Sequence, residues 1–398
     1  MAGTEAARLK LGMVGGGQGA FIGAVHRVAA RLDGKWDLVA GAFSSDPQRA
    51  AHSAADLGIA PERAYADYAE MAKAEALRED GIDAVAIVTP NHLHASVATA
   101  FLKAGIPVIC DKPMTASLRE AEVLAELVMR TGVPFVLTQT YTGYPMVREA
   151  RALVGNGAIG QVRHVQVEYL QDWLSGPVEQ SGQKQAVWRT DPALSGDGGC
   201  IADIGTHAAN LATFVTGLGI TKVLADLTAF GQGRRLDDNA AVLVRFESGA
   251  KGMIWASQIA PGTKNALRLR IAGDRGGLAW DQEQPEILEV TLAGEPTKIL
   301  RRGGDGVATP ARVPAGHPEG YLEAFATLYG DAAELLAKGS TTTPATEGRV
   351  LPGVHDGLLG MRFVAACVRS SAQGGQWAEV QDAMGEHLER SNGCLCDL

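Results

Sequence analysis

At 398 residues, with 46% hydrophobic and 20% charged side chains, the chain has the composition of a globular protein long enough for two domains. A formal charge of −9 argues against nucleic acid or anionic membrane as a main partner. No apolar run reaches the roughly 18 residues of a membrane span, the opening MAGTEAARLK lacks a signal peptide's apolar centre, and the five cysteines are odd in number and mostly scattered, with Cys394-Leu-Cys396 not at the redox CxxC spacing, so reduced thiols and a cytoplasmic location are expected.

The first expected strand, Leu9 to Val14, runs into the glycine cluster Gly15-Gly-Gly-Gln-Gly-Ala-Phe-Ile-Gly23, and a helix is expected from about Ala24 to Leu32. Strand, glycine turn and helix is the context in which a pyrophosphate meets backbone N–H groups at a helix start. Gly15, Gly17 and Ala20 fit G-x-G-x-x-A, whereas Gly23 becomes the close-packing glycine if the loop is expanded by three residues; both registers stay open. A second strand, Trp36 to Phe43, ends at Ser44-Ser-Asp-Pro47, where dinucleotide folds usually place an acid against the adenosine ribose; Ser44 stands there instead, with Arg49 close by.

Helices from Pro47 to Leu57 and in the 60s–70s precede a buried strand, Ala84 to Val88, that ends in Thr89-Pro-Asn-His-Leu-His94. A helix from Ala95 to Ala104, a strand from Pro107 to Cys110 ending in Asp111-Lys-Pro-Met-Thr115, a helix from Leu118 to Arg130 and a strand from Phe135 to Thr138 complete the alternation. That rhythm predicts a doubly wound parallel sheet, with its ligand at the carboxyl ends of the strands. The glycine cluster, Ser44, Thr89–His94 and Asp111–Lys112 all fall at such ends. From about Tyr141 the pattern changes. Six strand-like segments between Thr221 and Leu292, following one at Val162 to Leu170, predict a largely antiparallel sheet, with helices at Val147 to Val154, Tyr321 to Ala337 and Gly357 to Arg369. The expected division is a dinucleotide domain over residues 1–140 and a second α/β domain over 141–398.

Between these strands lies Asp197-Gly-Gly-Cys-Ile-Ala-Asp-Ile-Gly-Thr-His207. Its apolar spacing predicts a helix from Ile201 to Val215, on which Asp203 and His207 stand at i and i+4 on one face. A carboxylate over an imidazole can fix the ring's tautomer and raise its basicity, as a general base requires. An exposed ion pair has the same spacing. Cys200, Asp203 and His207 also share a face as metal ligands would, but no second His/Cys cluster accompanies them, and no metal is expected.

With these residues assembled, the chain resembles the glucose–fructose oxidoreductase / inositol dehydrogenase / rhizopine-catabolism family over nearly its whole length. The carriers are the glycine-rich turn, Thr89-Pro-Asn91 with His94, Asp111-Lys-Pro113, Asp203-x-x-x-His207 and Asp356-Gly-Leu-Leu-Gly-Met-Arg-Phe363. Asp111 departs from the family's common Glu at that place. The Trp188-Arg-Thr-Asp-Pro192 and Gly316-His-Pro-Glu-Gly-Tyr321 segments look like a subgroup acting on cyclic polyols and sugars. The resemblance implies a nicotinamide domain, NAD or NADP as cofactor, and a substrate domain whose open sheet supports homodimers or tetramers. Residues expected around the cofactor are Gly15, Gly17, Gln18, Ala20, Phe21, Ile22, Ser44, Ser45, Thr89, Asn91, His94, Asp111 and Lys112. Lys112, Asp203 and His207 are implied to surround the reacting carbinol, with His207 as base and Lys112 on the same oxygen.

His94 reads equally as a cap of its helix, and His317 as an exposed loop residue. Arg189 suits vicinal hydroxyls or an ion pair between domains. Tyr141, Tyr144 and Trp173 are candidates for a sugar pocket or for core. The function expected is hydride transfer between a secondary alcohol of an inositol or pyranose and a nicotinamide, in carbohydrate metabolism, with an oxidation rate that rises as His207 ionises near pH 6.5 or so. A catalytically silent dinucleotide sensor on the same scaffold is the second reading.

Overall fold

The structure, a computed structural model, describes residues 8–181, 186, 189–339 and 350–380; Trp188, Cys394 and Cys396 lie outside them. Five strands, β1 (Leu9–Gly15), β2 (Trp36–Ala42), β3 (Ala84–Val88), β4 (Val108–Cys110) and β5 (Phe135–Leu137), form a parallel sheet in the order β2-β1-β3-β4-β5. Between them run α1 (Phe21–Leu32), α2 (Pro47–Asp56), α3 (Tyr68–Leu77), α4 (Asn91–Lys103) and α5 (Leu118–Thr131). The order reverses between β1 and β3, which opens a crevice at their carboxyl ends.

Strand periodicity explains why the sheet is covered twice. Val85 and Ile87 of β3 face Val97 and Phe101 of α4, while Ala84, Ala86 and Val88 face α1. Helix starts follow local chemistry: Asp46 caps α2 through Arg49 N at 2.8 Å, with Pro47 at its first position, and Ser117 and Glu120 cap α5 reciprocally.

A nine-stranded sheet follows, in the order β13-β12-β11-β10-β6-β9-β8-β7-β14. Its strands are β6 (Val162–Leu170), β7 (Ile220–Thr228), β8 (Asn239–Phe246), β9 (Lys251–Ser257), β10 (Ala266–Gly273), β11 (Gly276–Asp281), β12 (Ile287–Leu292), β13 (Lys298–Arg301) and β14 (Ala378–Glu379). Every pairing is antiparallel except β6 with β9. The two edge strands β13 and β14 escaped the sequence reading, being too short and too polar to show alternation. Helices α6 (Pro145–Gly155) and α7 (Thr206–Thr216) cover one face, and the other is open, exposing Leu243, Met253 and Trp255.

The chain beyond residue 320 serves both sheets. Helix α8 (Tyr321–Ala337) lays Phe325 and Tyr329 against α1 and the first sheet, where the Tyr329 carbonyl accepts from Trp36 Nε1 at 2.9 Å. Burying such a ring contributes about 1.5–3 kcal/mol. Helix α9 (Val354–Ala372) packs on α5 with one side and on β7 with the other.

Two helix boundaries differ from expectation, and both bear on the site. Helix α4 begins at Asn91 rather than Ala95, which puts His94 in its first turn. The expected helix from Ile201 to Val215 is interrupted: Ile201–Gly205 is a π-helical turn, and the α-helix begins at Thr206. The Asp237 carboxylate takes the N–H groups of Gly199 and Ile201 at 2.7 and 2.8 Å, so an acid from the segment between β7 and β8 holds this start. Insertions of this kind concentrate at functional sites.

Candidate active site

A cleft of about 1230 Å³ runs along the carboxyl ends of the parallel strands and into the space between the two sheets. Its first end is the glycine turn. Gly16 has φ +71°, and the backbone of Gly23 approaches it so closely that a Cβ on Gly23 would lie 2.4 Å from Gly16 Cα. Gly23 is therefore the close-packing glycine, and the turn is the expanded form rather than the short G-x-G-x-x-A register. Helix α1 starts with no side-chain cap at Ala20, so its first N–H groups remain for an anion. Gly17, Gln18, Ala20, Phe21 and Ile22 line this end together with Ser44, Ser45 and Arg49. A Cβ on Gly17 would meet the Phe43 oxygen and Ser53 Oγ at 2.8 Å, so only glycine fits between the turn and the end of β2. These features fit a dinucleotide: uncapped helix amides for the pyrophosphate, and small hydroxylic residues where the ribose would lie.

The strand-end residues Thr89, Asn91, Asp111 and Lys112 line the middle of the cleft. Lys112 Nζ donates to Asp203 Oδ1 at 2.8 Å and to the Asp203 carbonyl at 2.6 Å. The other carboxylate oxygen accepts from Gln258 Nε2 at 2.8 Å and from Arg189 Nε at 3.1 Å. Burial pushes Asp203 up, but Arg189 and Lys112 outweigh it and hold the carboxyl well below the ordinary range. Behind Lys112, the Asp111 carboxylate accepts from Thr138 Oγ1 at 3.0 Å and lies 3.6 Å from His26 Nε2. Burial pushes this acid up as well, and His26 and Lys112 pull it below its usual value.

His207 departs from the expected arrangement. Asp203 spends its carboxylate on Lys112, Arg189 and Gln258, and His207 Nδ1 is buried without a hydrogen-bond partner among the described residues. Aromatic packing orients the ring instead: Tyr141 stands edge-on to it at 4.9 Å between centroids, and Tyr169 lies at 6.0 Å. Burial, reinforced by the Lys112 charge, drops its pKa to about 3. The π-turn bears on the missing Asp203–His207 hydrogen bond, because it takes Asp203 out of the regular α-helical spacing that would stack it over the imidazole.

A rise of rate through an ionisation near 6.5 therefore does not follow from this ring, which is already neutral there. A stability effect does follow. An exposed histidine in the unfolded chain titrates near 6.5 or so, whereas folded His207 refuses the proton down to about 3. The contribution is complete above the unfolded value and is lost as pH falls below it, at up to about 1.4 kcal/mol per pH unit. His94, also buried and shifted down, acts in the same direction. Denaturant midpoints measured from pH 7.5 to 4.5 should fall, and less steeply in His207→Phe; equal slopes would contradict a buried neutral ring.

The far wall carries no charge. The Tyr141 and Tyr169 hydroxyls are hydrogen-bonded to each other, and Tyr169 donates to Asn265 Oδ1 at 2.8 Å. Asn265 Nδ2 reaches Tyr141 Oη at 3.2 Å and Gln282 Oε1 at 3.1 Å, while Gln171 Nε2 donates to Asn265 Oδ1 at 2.9 Å. Burial raises the Tyr141 and Tyr169 phenols, so both remain protonated donors. Trp173 lines this wall and donates to Gln171 Oε1 at 3.0 Å, whereas Tyr144 is core.

Five members of this constellation, Tyr169, Gln171, Gln258, Asn265 and Gln282, were not singled out from sequence. The signal is tertiary: Gln171 and Gln258 each follow residues, Leu170 and Ser257, that pair across β6 and β9. Two expected residues stand elsewhere. His94 is buried behind the cleft, bonded to backbone carbonyls. His317 is exposed on the 311–319 loop, with Nδ1 3.3 Å from the Pro314 oxygen, and does not line the cleft. The Cys200 thiol turns to Asp237 Oδ2 at 3.1 Å, away from a shared metal position with His207, and no metal-ligand group of three occurs among the described residues.

Residues 9–139 match the oxidoreductase family with an NAD-binding Rossmann fold, and residues 147–279 match the GFO/IDH/MocA C-terminal domain. The uncharacterized oxidoreductase YfiI of Bacillus subtilis is 34% identical over 94% of this chain and 97% of its own. The chain belongs to the Gfo/Idh/MocA family. Levoglucosan dehydrogenase from Pseudarthrobacter phenanthrenivorans is 27% identical over 94% of this chain and 98% of that protein. A crystal structure of an inositol dehydrogenase homolog from Azotobacter vinelandii, complexed with NADH and myo-inositol, superposes with a TM-score of 0.84 at 34% identity, covering 94% of this chain and 98% of that one. The protein is a member of a sugar and polyol dehydrogenase family with NAD as cofactor, and these relatives favour that reading over the sensor. No helix among the described residues is long and apolar enough to cross a membrane.

Proposed function

We propose that this protein oxidises a ring-bearing secondary alcohol, an uncharged inositol or pyranose, to the ketone. The observation that carries the reading is that one ammonium, Lys112, and one buried imidazole, His207, whose Nδ1 has no hydrogen-bond partner among the described residues, line the same cleft, whose far wall is built from neutral amides and phenols. Such a wall exchanges hydrogen bonds with hydroxyl groups and holds no cation to pair with a phosphate or a carboxylate. NAD, when bound along the glycine turn, supplies the hydride acceptor. Lys112 holds the substrate oxygen and stabilises the charge that grows on it. Asp203 fixes the lysine, and His207 takes the hydroxyl proton. A ring with a low pKa suffices for this, because a hydroxyl becomes strongly acidic as its carbon turns into a carbonyl.

Assay of an inositol and pyranose panel tests the reading. Turnover confined to phosphorylated sugars or hydroxy acids would sink it.

For the cofactor, Ser44 and Ser45 with a single Arg49 make a poor clamp for a 2′-phosphate, so NADH should bind more tightly than NADPH. Fluorescence titration decides this, and a preference for NADPH above about tenfold, 1.4 kcal/mol, contradicts it. A homo-oligomer accords with the open sheet face, where Leu243 and Met253 pair across β8 and β9 beside exposed Trp255. Light scattering should then give a multiple of the chain mass.

A further inference from the structure

The His94 ring is wedged between two strand-end loops. Its Nδ1 lies 2.7 Å from the Pro113 oxygen and its Nε2 lies 2.8 Å from the Thr89 oxygen. Thr89 directly follows β3, and Pro113 directly follows Lys112; both line the cleft, while the ring behind them is 1% exposed. Strands β3 and β4 pair from Val85–Val108 to Ile87–Cys110, and one further rung, Asp111 N to the Ile87 oxygen at 2.9 Å, closes the ladder. Past that rung, the hydrogen bonds between the two loops among the described residues run through His94. Lys112 sits where backbone pairing has ended, and this ring is the cross-link that remains.

We propose that His94 is a positioning residue for Lys112: by tying the lysine-bearing loop to the loop after β3, it sets where the ammonium stands in the cleft. The proposal rests on the reading of Lys112 as the group that holds the reacting oxygen. It replaces both earlier alternatives for His94, a helix cap and a direct cofactor contact. The ring does not serve the amides of α4, since both of its nitrogens face carbonyl oxygens, and it reaches the cleft only through the backbone it holds. A neutral imidazole donates to one of the two carbonyls and the imidazolium to both. Burial favours the neutral ring, the Pro113 oxygen, Asp111 and the Thr89 oxygen favour the charged one, and His92 opposes charge. The imidazolium and the neutral ring protonated on Nδ1 both donate across to the Pro113 oxygen, and in every state the ring's bulk separates the loops, so the tie needs a proton on Nδ1 rather than a charge.

The test compares His94→Leu, which keeps bulk and removes both nitrogens, with His94→Asn, which restores one donor. Thermal melts establish that each variant is folded. In His94→Leu, kcat for an alcohol that the wild type oxidises should fall about 10- to 100-fold, because a misplacement near 1 Å costs that much, and the primary deuterium isotope effect on kcat should rise; the NADH Kd should rise about threefold or more, about 0.7 kcal/mol, because the ring also holds the backbone of Thr89, which lines the cleft. His94→Asn should recover part of each. A kcat within about twofold of wild type with unchanged Kd overturns the proposal, as does a loss of kcat that only tracks the fraction of folded sites, with isotope effect and Kd unmoved. If the wild type oxidises no polyol or sugar, the functional reading fails separately, and the NADH arm still decides whether the ring ties the two loops: an unchanged Kd overturns the tie.

Discussion

Lys112→Met should lower kcat for alcohol oxidation by roughly 10³-fold while leaving NADH affinity near that of the wild type, because it deletes the ammonium proposed to face the charge that appears only during reaction. Methionine keeps the stem and the packing, so the loss reads charge rather than shape. The Asp203 carboxylate would retain Arg189 and Gln258 and stay folded in place. Since Asp203 accepts from the ammonium at 2.8 Å rather than from His207, Asp203→Asn should behave as a milder lesion of the same kind. The double variant should then cost little more than Lys112→Met alone, as residues acting as one unit do. Steady-state kinetics of the four proteins checks this. Additive losses would show that Asp203 acts on the reaction by some other route.

His207→Ala should lower kcat by about 10²–10⁴-fold, the range for removing a general base, again with cofactor affinity near normal. The pH profile separates this role from a packing defect. With the ring held near 3, wild-type kcat/KM for oxidation should show no ionisation of His207 between about pH 5.5 and 8. A wild-type rise centred near 6.5 or so that disappears in His207→Ala would mean that the ring titrates as an exposed histidine does. His207→Phe should preserve the edge-on packing of Tyr141 and remain folded yet inactive. A variant of His207 retaining most of the wild-type rate would remove it from the chemistry altogether.

The parallel sheet was legible in the sequence because its determinants are local. Runs such as Ala84–Val88 announce strands buried on both faces, glycines mark the turn after β1, and the lengths between strands match crossover helices. The glycine-turn end of the cleft was legible for the same reason, since Gly15, Ser44, Thr89 and Lys112 each sit at, or within two residues of, the end of a strand. Even there, the register of the glycine turn waited for the contact between Gly16 and Gly23, which spacing does not encode.

The other end of the cleft was decided by tertiary structure. Gln171, Gln258, Asn265 and Gln282 come from the ends of different strands and meet only because β6 lies parallel to β9 and antiparallel to β10. Helix α8 covers the first sheet, although it follows the second in the chain. Asp203 and His207 show the division most clearly. Their types and spacing pointed to two residues stacked on one helix face, but the partner of each was set by long-range forces: Lys112, Arg189 and Gln258 claimed the carboxylate, and Tyr141 and Tyr169 packed the ring. Periodicity assumes a regular helix through this stretch. Asp237, from the connection between β7 and β8, anchors the π-turn that takes its place.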